Sequence, residues 1–336
     1  MRSLPRSAPT PRGGHAVADE IVGSGRAGAK LILFGEHVVL YGKPAISLPV
    51  PSLPVTARAR RWDGPVVIES APFDAVPSGR PGESPVSRMA VTAACDQLGI
   101  PDDGLFVTVD SGIPPGRGFG SSAASSAAII AAVAALWNEE FDDDTLFTLV
   151  QRAEALAHGK ASGVDARTVI SPGGPLWFQH GVATPLALPV VPEPPVLVVA
   201  DTGVYGSTHL AVETVRRRLA TLGGAGTQLL NLSESITTDA AVALAAGRSA
   251  EVGAAMTTTH DILGQLGVSC PEIETLVAAA RAADALGAKL SGGGLGGCVI
   301  ALAADVTHAE RVRTSVLAAG AQSCHTVTLG AGEGTS

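Results

Sequence analysis

Residues 105–136 read LFVTVDSGIPPGRGFGSSAASSAAIIAAVAAL. This stretch most narrows what the chain can become. Leu105–Asp110 (LFVTVD) reads as a strand. The run from about Ser121 to Trp137 is charge-free and built of small and apolar residues, and it reads as a buried helix. Its strongly apolar part, Ala127 to Leu136, is about half of a bilayer span, so a membrane helix is excluded on length. Between strand and helix, Gly116, Gly118 and Gly120 let the backbone turn N–H groups toward a ligand. Ser121 and Ser122 fall where a helix begins, with free N–H groups and the positive end of the dipole. Taken alone, the segment supports either an anion site or a serine-capped turn.

A chain of 336 residues suits one large or two medium domains. Hydrophobic residues make up 46% and charged residues 16%, which places it among globular proteins. The net charge of −8 argues against nucleic acid as a partner, since phosphate neutralisation needs a clustered basic surface. The densest basic run, Arg216-Arg217-Arg218, reads as a solvated helix face. Cysteines 95, 270, 298 and 324 show no CxxC spacing, so a zinc site is not expected and reduced thiols of a cytoplasmic protein are. Residues 1–20, rich in Pro, Arg and Gly, lack a signal peptide's apolar core and read as a flexible tail.

Strands are expected at Ala29–His37, Ala45–Val50, Val55–Arg61, Val66–Glu69, Leu105–Asp110, Val164–Ile170 and Pro175–Gln179. Helices are expected at Ser87–Leu98, from Ser121, and from the Asp142–Asp144 cap to about His158, with a loop at 71–85. Five prolines in 183–195 mark a domain boundary. Beyond it come a strand at Val196–Ala200 and helices near 207–221, 228–246, 249–266 and 271–286. A glycine-interrupted hairpin (288–304), a helix (307–319) and a strand (324–329) follow. Strands and helices mix without regular βαβ alternation, which favours α+β.

GxGxxG occurs at Gly23–Gly28 and Gly292–Gly297. Both lead into strand-like runs rather than helices, so neither meets the context of a dinucleotide site. No GxxxxGK[ST] is present. Ser291–Gly297 (SGGGLGG) holds five glycines in seven residues, suiting close approach of a ligand or a hairpin turn.

Four segments in order carry a resemblance: Lys30–Ala45 (KLILFGEHVVLYGKPA), Pro114–Ala124 (PPGRGFGSSAA), His158–Asp165 (HGKASGVD) and Lys289–Cys298 (KLSGGGLGGC). Together they resemble the GHMP small-molecule kinases, and within them the mevalonate kinase family, from about residue 25 onward. Thr202–Thr208 (TGVYGST) is similar to that family's substrate segment. Three positions depart from the pattern. Arg117 stands where a small residue is usual, Phe119 where Leu is usual, and Tyr205-Gly206 where many relatives carry Pro-Arg.

The resemblance implies the GHMP fold. A ribosomal-protein-S5-like N-terminal domain (21–190) would carry the phosphate loop, joined to a ferredoxin-like α/β domain (191–332). It implies ATP-dependent phosphorylation of the primary hydroxyl of (R)-mevalonate to 5-phosphomevalonate, on the route to isoprenoids. Another GHMP kinase, such as a phosphomevalonate kinase, and a non-catalytic sensor are the alternatives. Asp165 would be the catalytic base and Lys30 its cationic partner. Pro115, Gly116, Arg117, Gly118, Phe119, Gly120, Ser121, Ser122, Ala123, Ser291, Gly292 and Gly293 would surround ATP. Ser122 and Glu154 would hold Mg²⁺. Glu36, His37, Ser207 and Thr208 would meet the substrate, although His37 could be structural and Ser207 and Thr208 helix caps. The sequence gives no oligomeric state, and a homodimer is compatible with it.

Overall fold

The computed structural model describes residues 21–70, 84–158 and 162–330. The expected tail at 1–20, most of the expected loop at 71–85, and Gly159–Ala161 of the third motif lie outside the described residues.

The first sheet is centred on β2 (Ala45–Arg61), which pairs with β1 (Val22–Phe34), β4 (Leu105–Ser111) and β5 (Leu176–Gln179). β3 (Val67–Ser70) lies parallel to β4, and β6 (Val182–Pro185) closes the other edge. β2 is one strand where the sequence suggests two. Pro51 and Pro54 fall at a bulge, where the partners of β1 jump from Pro54 opposite Gly28 to Val50 opposite Ala29. A bulge absorbs the N–H groups that proline lacks without ending the strand.

β1 also begins earlier than its apolar run, at Val22, and takes in the first GxGxxG. Its first two glycines, Gly23 and Gly25, face α2 (Ser121–Leu136), while Gly28 lies against Pro51 of β2. A Cβ at Gly23 would lie 2.1 Å from the Ala132 carbonyl oxygen, and one at Gly25 would lie 2.1 Å from that of Ala128. The strand and the Ala/Ser helix therefore touch backbone to backbone. α1 (Pro85–Leu98) and α3 (Asp143–His158) flank α2. α1 is capped by Ser84, whose Oγ accepts from Ser87 N–H at 3.0 Å.

The expected strand at Val164–Ile170 is instead a helix, α4 (Val164–Val169), entered through Gly163 at φ 92°. Its β-branched residues suggested a strand. Three of them, Val164, Thr168 and Val169, are buried beneath the sheet, and the Thr168 hydroxyl donates back to the Val164 carbonyl at 2.6 Å. Burial on one helical face overrides the strand propensity.

β7 (Val196–Asp201), β8 (Gly287–Ser291), β9 (Cys298–Ala303) and β10 (Ser323–Thr328) form a second, antiparallel sheet in the order β10-β7-β9-β8, the ferredoxin-like arrangement. Its two faces follow period-two alternation. Val196, Val198, Ala200, Val299 and Ala301 pack with α8 (Pro271–Ala282) and α9 (Val306–Ala318). Leu197, Val199, Ile300 and Leu302 pack with α6 (Gly224–Ala245) and α7 (Ser249–Gln265), in a core continuous with that of the first sheet. α5 (Thr208–Leu222) carries the basic run, and Arg216 and Arg217 both pair with Glu213 on its exposed face. All four cysteines are free.

Candidate active site

The site is built at the amino end of α2. Gly116, Gly118 and Gly120 all have positive φ (66°, 80° and 71°), a conformation glycine adopts without steric cost. The first helical hydrogen bond runs from Ala124 N–H to the Gly120 carbonyl at 2.9 Å, leaving the N–H groups of Ser121, Ser122 and Ala123 outside the ladder. No acidic residue belongs to the first turn itself. Phe119 is turned into the core at 2% exposure and offers a ligand only its backbone.

Lys30 is fixed to this loop from β1. Its backbone N–H donates to the Phe119 carbonyl at 2.8 Å. Its side chain then crosses Gly120, where a Cβ would lie 2.7 Å from Lys30 Cγ. Lys30 Nζ reaches Asp165 Oδ1 at 2.9 Å. Asp165 sits in the first turn of α4. Beside this pair, the Ser122 hydroxyl donates to Glu154 Oε1 at 2.6 Å. Burial pushes the Glu154 carboxyl up to about 7, with the Ser122 hydrogen bond and Lys30 opposing and Asp165 adding to the rise. The four residues that the sequence links only by family motif are thus brought together from β1, α2, α3 and α4.

Glu36 and His37 follow β1 directly. Glu36 forms an ion pair with Lys289 of β8, and both side chains are fully buried. Lys289 also donates to the Leu290 carbonyl at 2.7 Å. Burial drives Glu36 up and Lys289 down, and each charge opposes the other's shift. The second carboxylate oxygen of Glu36 has no hydrogen-bond partner among the described residues. Lys289 belongs to a quoted motif, but nothing in its spacing marks it as Glu36's partner. His37, at φ 62°, places Nε2 2.8 Å from the Gly293 carbonyl. Burial lowers its pKa to about 4, so the ring is neutral at pH 7 and Nε2–H donates to that carbonyl.

The second glycine-rich loop lies against the first. A Cβ at Gly118 would lie 3.0 Å from the Ser291 carbonyl oxygen, and one at Gly292 would lie 3.1 Å from Gly118 Cα. The Ser291 hydroxyl is engaged by β1, accepting from Ile32 N–H at 3.1 Å and donating to the Ile32 carbonyl at 2.9 Å. It staples the two sheets together. Ser207 caps α5, its Oγ accepting from Leu210 N–H at 3.3 Å, and Thr208 opens that helix 3.4 Å from a Cβ position on Gly293. Arg117 reaches Asp201 at the end of β7, with Nε 3.0 Å from Oδ1. Pro115 and Ala123 flank the loop at its two ends, Ala123 buried in the core.

Such a site can bind a polyanion on α2, hold a divalent cation through Ser122 and Glu154, and direct an ammonium and a carboxylate at a hydroxyl. The family model for the GHMP kinases N terminal domain matches residues 86–173, and that for the GHMP kinases C terminal domain matches residues 240–322. A mevalonate kinase of Aeropyrum pernix is 35% identical over 285 residues, spanning 82% of this chain and 87% of its own. One from Thermococcus sibiricus is 34% identical over 315 residues, spanning 88% and 92%. The crystal structure of L. major mevalonate kinase in complex with R-mevalonate superposes with a TM-score of 0.80 at 28% identity, covering 94% of this chain and 99% of that one. With such identity over most of its length, the chain belongs to the GHMP kinases and, within them, to the mevalonate kinase family.

Proposed function

We propose that this chain transfers the γ-phosphoryl group of ATP to the primary hydroxyl of (R)-mevalonate, releasing 5-phosphomevalonate and ADP. The observation that carries the reading is the Lys30–Asp165 ion pair standing beside the Ser122–Glu154 pair at the open end of α2. Phosphoryl transfer asks a protein mainly for positioning and charge stabilisation, and these four side chains with the loop's N–H groups supply both.

The N–H groups of Ser121, Ser122 and Ala123 and the α2 dipole receive phosphate oxygens. Asp165 accepts the proton of the attacking hydroxyl, and Lys30 stabilises the alkoxide as it forms and the negative charge on the transferred group. Glu36, with a buried oxygen unclaimed among the described residues, and His37 bound the region that the acceptor's polar groups would enter.

A magnesium ion fits Ser122 and Glu154. A hydroxyl and a buried carboxylate are the hard oxygen donors it prefers, and the raised Glu154 pKa marks a carboxylate short of solvation that a cation would restore. No group of three or more His, Cys, Asp or Glu side chains that could hold a metal occurs among the described residues. Magnesium keeps several waters and takes substrate phosphates as its remaining ligands. Bound there, it would neutralise phosphate charge.

No helix among the described residues is long and apolar enough to cross a membrane. An ADP-release assay across mevalonate, phosphomevalonate, galactose and homoserine tests the reading. Turnover with mevalonate alone is expected. Preference for phosphomevalonate moves the chain to the neighbouring kinase class, and no turnover with any of the four makes it a non-catalytic relative.

A further inference from the structure

Arg117 is the sole charged side chain between β4 and α2. It turns away from solvent. Its Nε lies 3.1 Å from Asp201 Oδ2 and 3.0 Å from Oδ1, and the two side chains are 16% and 6% exposed. Its Nη1 is buried without a hydrogen-bond partner among the described residues, so Asp201 provides the guanidinium's anchorage.

Asp201 is the last residue of β7 and begins a segment that returns to the phosphate loop. Its Oδ1 accepts from Gly203 N–H at 2.8 Å. Gly206 N–H donates to the Gly116 carbonyl at 2.9 Å. The Tyr205 ring lies over Gly116, 2.0 Å from where a Cβ would stand. The segment ends at Ser207 and Thr208, next to Gly293, whose carbonyl His37 holds. One end of the phosphate loop is therefore tied to the strand that leads into the acceptor side of the site, by a charge pair and a backbone hydrogen bond.

We propose that Arg117 is a positioning residue whose ion pair with Asp201 locks the phosphate loop to residues 202–208, so that the nucleotide and acceptor subsites keep one register. It acts through the loop and touches neither reactant. The proposal rests on the kinase reading for the identity of the two subsites. Its physical basis is that a misplacement of about 1 Å can cost on the order of 100-fold in rate, and that a buried charge stripped of its partner forces its surroundings to rearrange.

Four variants test it: Arg117→Ala, Arg117→Lys, Asp201→Asn and the Arg117→Ala/Asp201→Asn double. Asp201→Asn keeps an oxygen for Gly203 N–H and removes only the charge. Each single loss variant is expected to raise KM for ATP and for mevalonate together, by about tenfold. The double variant should match the worse single, and Arg117→Lys should recover part of the loss. Calorimetry with Mg·AMP-PNP, which needs no acceptor, should show about tenfold weaker binding in Arg117→Ala and Asp201→Asn. Circular dichroism and thermal melting identify folded variants, and Asp201→Asn with Arg117→Lys carries the test if Arg117→Ala does not fold. Folded variants with both KM values within twofold of wild type overturn the proposal. So does a rise confined to ATP, which would mean a direct phosphate contact, or single effects that multiply in the double variant. A wild type that does not turn over mevalonate overturns the kinase reading instead, and the AMP-PNP comparison then still decides the lock.

Discussion

Lys30 Nζ and Asp165 Oδ1 are 2.9 Å apart, yet the lysine side chain is 3% exposed and the aspartate 40%. The cation is thus held by the fold while its carboxylate faces the open side, where a hydroxyl can reach it. Removing the carboxylate with Asp165→Asn should lower kcat by roughly 10²–10⁴-fold, the usual contribution of a positioned base. Lys30→Met should lower kcat by a comparable factor while KM for mevalonate changes little. Melting temperatures should stay near wild type for Asp165→Asn, whose side chain is half-exposed. A kcat near wild type in either variant contradicts the assigned roles.

Glu154 makes the site pH-sensitive. Its pKa rises from 4.5 in the open chain to about 7 when folded, so between those values the folded state binds more protons than the unfolded one. Stability without metal should therefore fall as pH rises from 4.5 to 7, by on the order of 3 kcal/mol from this group. Glu154→Gln should flatten that part of the melting profile. Magnesium should reverse it, because only the carboxylate ligates, and its uptake near pH 6 should release a proton detectable by calorimetry in two buffers of different ionisation enthalpy. Equal slopes for wild type and Glu154→Gln would refute this account.

The Glu36–Lys289 pair has no access to water on either side. Lys289→Met alone strands a buried carboxylate and should cost about 3–5 kcal/mol in urea unfolding. Adding Glu36→Met should recover much of that stability, since an apolar pair of similar volume is often no worse than a buried ion pair. Activity should not return, because the double variant lacks the Glu36 carboxylate. A double variant less stable than Lys289→Met would show that groups other than Lys289 stabilise the Glu36 side chain, and would refute this account.

Gly25 tests the backbone contact between β1 and α2. Gly25→Val would drive its Cβ toward the Ala128 carbonyl and should cost more than about 4 kcal/mol or abolish folding. Ser24→Val, next door on the exposed face, should change stability by about 0.5 kcal/mol or less. Similar melting temperatures for the two variants would remove the contact from the account.

The strand, glycine loop and helix of residues 105–136 are legible because their signal is local and contiguous. So is the strand at Val196–Ala200, an unbroken apolar run that the second sheet buries on both faces. Val164–Ile170 reads as a strand yet folds as a helix, because β-branched side chains say nothing about which neighbour will bury them. Arg117 and Ser291 were opaque for another reason. Their partners, Asp201 and Ile32, lie 84 and 259 residues away, and no spacing rule reaches that far. Nor did the first glycine pattern announce its use, since a glycine that makes room for a helix looks the same in sequence as one that makes room for a ligand.

The Ser291 staple and the Glu36–Lys289 pair span 259 and 253 residues. That separation has a kinetic meaning. Closing a loop of such length costs roughly 5 kcal/mol of chain entropy before any contact forms. Contacts of this kind come late in folding. A chain still emerging from the ribosome can complete the first sheet and its helices, with Glu36 hydrated and His37 without its carbonyl partner. The machinery for moving phosphate is then assembled only when the last quarter of the chain arrives, and a truncated product is left with a phosphate loop but no closed site.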